Sequence, residues 1–104
     1  MTASTEELTA VVDLRLHADA GRAYHLPGDG SRSLLYVFDG QQIGAMAVTA
    51  DGRDLVPASE HEGVVLTFWA DEARILVTAG SKFSVWYGGT VGEGIVRSVG
   101  WNSD

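Results

Sequence analysis

The chain has no cysteine, a single lysine and no long apolar run. The missing cysteine excludes thiol catalysis, CxxC redox chemistry, thiolate zinc sites and a disulfide framework, so a hydrophobic core must hold the fold. The lone lysine, Lys82, precedes the glycine-rich stretch near the C-terminus instead of following it, which excludes a Walker motif. No segment approaches the roughly 20 apolar residues of a membrane span, and the opening MTASTEELTA has neither the basic nor the apolar region of a secretory leader. A soluble, cytoplasmic protein with no membrane partner is therefore expected. Positive charge is also scarce: seven Lys and Arg stand against 14 Asp and Glu, a net charge of -7. A surface of that sign repels phosphate backbones, which makes nucleic acid a poor first partner.

What is present is enough for one globular domain. The 104 residues are 45% hydrophobic and 20% charged, the balance of a chain that buries a core unaided. A single domain is expected over residues 1–104, with polar ends, 1–7 and 101–104, that fray. Between them the apolar residues keep a period of two. Val12, Leu14 and Leu16 alternate with Asp13, Arg15 and His17, as a strand with one wet face requires. Ser33 to Asp39 and Gln41 to Val48 are β-rich runs joined at Asp39-Gly40, a hairpin pair. Gly63 to Ala70 and Ala73 to Thr78 read as further strands, and Lys82 to Tyr87 pairs with Thr90 to Val99 around Gly88-Gly89. Ala18 to Arg32 reads as a connecting loop, with Ala23 to Leu26 as a short apolar piece within it. No segment carries a helical stripe. Many short strands with 13 glycines predict an all-β fold, an antiparallel sandwich or small closed barrel with Leu14, Tyr36, Phe38, Phe83 and Val85 inside.

Candidate chemistry is thin. The cluster Gly88-Gly89-Thr90-Val91-Gly92-Glu93-Gly94 runs into the β-rich Ile95 to Val99, whereas a phosphate cradle opens a helix. Glu60-His61-Glu62 offers ligand types for a divalent ion but no second ligand group. His17 and His25 have no serine and orienting acid at a recognisable spacing. No catalytic residue, metal or cofactor is expected. The aromatics say more. Phe83, Val85 and Tyr87 share one strand face and leave Ser84 and Trp86 on the other. With Phe83 and Val85 inward, Trp86 becomes an outward anchor for a partner, unless it packs under a loop.

The run from Gly80 to Val96 resembles the end of elongation factor Tu. Gly80, Phe83, Gly88, Gly89, Thr90, Val91, Gly92, Gly94 and Val96 match that family's closing pattern once one arginine after the paired glycines is deleted. Upstream, Tyr36-Val37-Phe38 with Ile43, and Val56-Pro57 with Val64-Val65, are similar to earlier pieces of the same domain in the same order. The resemblance implies a six-stranded antiparallel Greek-key barrel, the factor's third domain, without its GTPase domain. In the family that barrel performs no chemistry; it contacts aminoacyl-tRNA, the GTPase domain and an exchange factor. The RNA-facing residues depart from the pattern. The family's Arg-Glu pair before the glycines is Trp86-Tyr87 here, the arginine after them is absent, and a basic position beyond the aromatic strand is Asp39.

The resulting expectation is a noncatalytic protein-binding module using Trp86, Tyr87, Gly88, Gly89 and Trp69. Its partner would be a protein: a translation component, a toxin that grips elongation factor Tu, or a second copy as a homodimer. The alternatives are residual RNA binding through Arg97, Lys82 and Arg74, and a small-ligand or metal site at Glu60-His61-Glu62.

Overall fold

The computed structural model describes residues 6–18 and 24–103. Six strands, β1 (Glu6–Leu16), β2 (Asp29–Phe38), β3 (Gln41–Val48), β4 (Glu60–Phe68), β5 (Lys82–Trp86) and β6 (Thr90–Ser103), form a closed antiparallel barrel in the order β1-β4-β3-β2-β5-β6. Closure gives every strand two neighbours and so removes most of the open sheet edge. The β2–β3 hairpin turns at Asp39-Gly40, where φ is 50° and 79°. Two consecutive residues in that region make the turn whose twist matches paired strands, and the ladder closes at Phe38↔Gln41. β5 and β6 join through Gly88, at φ 69°, with the Tyr87 N–H donating to Gly89 O at 2.8 Å.

The period of two puts its apolar half inside. Leu14, Tyr36, Phe38, Phe83 and Val85 are all buried in one core. Phe83 is stacked on Phe38 at 5.1 Å and meets Tyr36 edge-on at 5.8 Å, and Phe68 meets the other side of Phe38 edge-on at 5.8 Å. Such offset and T-shaped contacts are the favoured geometries for ring quadrupoles. β6 can cross this close to its neighbours because it carries glycine at the crossing. A Cβ on Gly94 would lie 2.4 Å from Phe83 Cζ and 2.6 Å from Asp13 O, and one on Gly92 would lie 2.7 Å from Arg15 O.

Three expectations need correction. Residues 73–78 are not a strand: Ala73–Leu76 is one helical turn, α1, in the connection from β4 to β5. Ala73 and Val77, four apart, are buried on one side while Ile75 is 80% exposed, so the apolar spacing that matters is helical and not alternate. β2 begins at Asp29, inside the stretch read as a loop. Strand pairing also reaches further out than the polar ends implied, since Glu6↔Ser103 and Glu7↔Asn102 extend the β1–β6 ladder; residues 1–5 and 104 lie outside the described residues.

The two ends of the barrel are closed differently. α1 covers one end with Ala73 and Val77. At the other, Leu26 and Leu55 form an isolated bridge, with paired backbone bonds of 3.0 and 2.8 Å, and both side chains are buried.

Candidate functional site

The outer surface divides into an uncharged wall and a charged one. On the uncharged wall the cross-strand register places Trp86 of β5 opposite Leu35 of β2, and Leu35 opposite Gly44 of β3. Further along, Met46 faces Thr67, Thr67 faces Thr9, and Val48, Val65 and Val11 form a row across β3, β4 and β1. None of these outward positions carries a charge, in a chain with a net charge of -7. Leu35 is 39% exposed, and Val11, Val48 and Val65 are similarly open. Asp29, opposite Val48, marks one border. An open groove flanked by Lys82 and Glu93 and lined by Val37, Ser84 and Ile95 runs beside it.

The expected contact residues fall on or near this wall, with differences. Trp86 points outward as alternation requires but is only half-exposed. Tyr87, on the inward parity by sequence, lies beyond the last residue of β5 and is 42% exposed. Gly88 is exposed and Gly89 half-buried in the same hairpin. Trp69, 43% exposed, follows the end of β4, and β3 and β2 stand between β4 and β5 in the barrel. At the usual strand spacing that separates it from Trp86 by roughly 14 Å. The residue that bridges part of this gap is Leu35. Its outward aspect is legible in the sequence, because its neighbours Leu34 and Tyr36 are the inward positions of the same strand.

The charged wall lies on β1 and β6. Arg97 pairs with Asp13, and Glu93 accepts from Arg15 at 3.3 Å and lies 3.2 Å from His17 Nε2. The Asp13 carboxyl is held below the usual range first by the Gly63 N–H donating to it at 3.1 Å and then by Arg97. The Glu93 carboxyl is lowered by His17 and Arg15. With Arg53 paired to Asp51, three arginines already carry carboxylate partners. An arginine so neutralised contributes little to binding phosphate.

The histidines do not assemble a reaction site. His61 is 5% exposed at the start of β4, with Glu60 and Glu62 on the opposite face, so strand alternation separates the imidazole from both carboxylates. Its Nε2 is 3.0 Å from Ser59 Oγ, a spacing that resembles a nucleophile and its base. The Ser59 hydroxyl, however, donates to Val56 O at 2.6 Å. The serine oxygen is therefore the acceptor and His61 Nε2 the donor, the reverse of an activated nucleophile. Burial lowers the His61 pKa and so disfavours the charged ring. His25 pairs with Asp54 at 2.6 Å on the surface. No group of three or more His, Asp or Glu side chains suited to a metal occurs among the described residues. The glycine cluster after Tyr87 enters β6, so its amides lie at the mouth of a strand and not at a helix N-terminus.

Compared with known proteins, the chain matches no family model and no curated protein. Among the described residues no helix is long and apolar enough to cross a membrane.

Proposed function

We propose that this chain is a noncatalytic, cytoplasmic protein-binding barrel, similar to the third domain of elongation factor Tu, whose contact surface is the uncharged wall centred on Leu35 and Trp86. The observation that carries the reading is the placement of these two apolar side chains opposite each other, on a wall without charge, in an otherwise acidic molecule. Apolar anchors at the centre of an interface contribute about 2 kcal/mol or more each, whereas rim charges contribute tenths. Where the resembled family carries an arginine for RNA, this chain has Trp86, which favours a protein surface over a phosphate. The partner's chemistry follows: an apolar, weakly charged protein face, with a translation component or a toxin of elongation factor Tu as the classes the resemblance supplies.

The test compares tagged wild-type protein with Leu35→Glu and Trp86→Ala in capture from the native cytoplasm, with circular dichroism confirming the fold of each. Loss of a specific captured protein in both variants supports the reading. An unchanged capture profile, or recovery only of RNA that releases steeply with salt, contradicts it.

A further inference from the structure

β6 is longer than the wall it closes. β5 pairs with it only from Trp86↔Thr90 to Lys82↔Ile95. The segment before β5 adds two last backbone bonds, from the Gly80 N–H to Val96 O and from the Val96 N–H to Ser81 O, each 2.8 Å. Beyond Val96 the strand continues to Ser103 with β1 on one side, from Val11↔Ser98 to Glu6↔Ser103. On its other side no backbone group of a described strand or loop pairs with it. β1 also outruns its neighbour, since β4 ends at Leu8↔Phe68. Ser98 to Trp101 of β6 thus have β1, and β4 beyond it, on one side and an unpaired edge on the other, while only the first two residues of β1, Glu6 and Glu7, and Asn102 and Ser103 of β6 extend past β4. A strand with unpaired N–H and C=O groups is a template for another strand.

The two free edges at this end of the barrel, β1 at Glu6 and Glu7 and β6 beyond Val96, differ in what they accept. The β1 edge opens with Glu6-Glu7, which would set like charges against each other in a self-pairing. The β6 edge from Ser98 to Ser103 contains no charged residue, no lysine and no proline, the usual devices that blunt an edge. Its one bordering charge, Arg97, is already neutralised by Asp13. An antiparallel pairing of this edge with its own image thus places no charge against a like charge, although each chain carries -7 overall.

We propose that the free β6 edge beyond Val96 pairs antiparallel with the same edge of a second copy across a two-fold axis. The β1–β6 ladder of one copy then continues into that of the other. This surface is distinct from the Leu35–Trp86 wall, so either reading can fail without the other. Such an interface is isologous and closes after two chains, and its affinity comes from main-chain hydrogen bonds.

The test is sedimentation equilibrium of the full chain over a wide concentration range, with Ser98→Glu and Gly100→Glu as edge variants and Leu35→Glu as the wall variant. Ser98 and Gly100 are exposed, and a Cβ on Gly100 meets only Thr9 Oγ1, at 3.5 Å, so both substitutions suit the folded chain. The expected result is a monomer–dimer equilibrium that tightens with added salt and is weakened about tenfold or more by either edge variant, because like charges oppose each other across the new ladder. Leu35→Glu leaves it unchanged, and the amides from Val99 onward exchange more slowly as concentration rises. A monomer at every concentration overturns the proposal. So does a dimer that survives both edge variants, or one lost only with Leu35→Glu.

Discussion

Tyr36 is the core residue with an unmet need. Its hydroxyl is fully buried and has no hydrogen-bond partner among the described residues, and burial raises its pKa far above the usual phenol value. A buried hydroxyl without a partner costs about 1–3 kcal/mol. Tyr36→Phe is therefore expected to leave the urea midpoint unchanged or raise it, against the usual cost of altering a core aromatic; a clear loss of stability would show that the hydroxyl is satisfied. His61 gives the opposite kind of handle. Its folded pKa lies below the ordinary 6.5 because the ring is desolvated. Between the folded and unfolded pKa values the unfolded chain binds the extra proton, so stability is lost as pH falls through about 6.5. Urea midpoints measured from about pH 7.5 to pH 5.5 should fall for the wild type and fall less for His61→Gln; equal slopes would contradict the buried, neutral ring. At still lower pH, Asp13 adds a second loss as its depressed carboxyl is protonated. Alternation alone placed Tyr36, Phe38, Phe83 and Val85 inside. It could not show that Tyr36 lacks a partner or that His61 faces inward while Glu60 and Glu62 face water, because those facts depend on neighbours far away in sequence.

At the level of elements, hairpins were legible and the crossing was not. Asp39-Gly40 and Gly88-Gly89 are local turn chemistry, readable wherever two β-rich runs flank them. Residues 73–78 misled because Ala73, Ile75 and Val77 satisfy a two-residue period, while the geometry uses Ala73 and Val77 four apart and leaves Ile75 out. A four-residue helix is too short to show a stripe, and the docking of its ends onto the core decides its form. The distinction is measurable. Ile75→Lys should change stability by no more than about 0.5 kcal/mol, whereas Val77→Ala should cost about 1–3 kcal/mol. Comparable losses in both would restore the strand. The Leu26–Leu55 bridge was out of reach for a different reason: it joins two connections 29 residues apart through a single pair, which leaves no periodic trace.

For the whole molecule, the sequence pattern carried the fold class and part of the site. Strand spacing points to an antiparallel sandwich or closed barrel, the six-stranded closed form is what the resemblance implies, and the outward aspect of Trp86 follows from inward Phe83 and Val85. The uncharged wall did not, since it requires knowing that β5, β2, β3, β4 and β1 are neighbours in that order. Once they are, the ion pairs Arg15–Glu93 and Arg97–Asp13 of β1 and β6 stand apart from the neutral row that runs through Trp86, Leu35, Met46 and Thr67. On the proposed reading, one side of the barrel faces solvent and the other a partner. The most direct measurement places a photo-crosslinking amino acid at Leu35, with a control at Arg15 on the charged wall, in cells of the native host. A discrete protein adduct from Leu35 and none from Arg15 is the predicted result; nuclease-sensitive adducts, or equal labelling at both positions, would contradict the account.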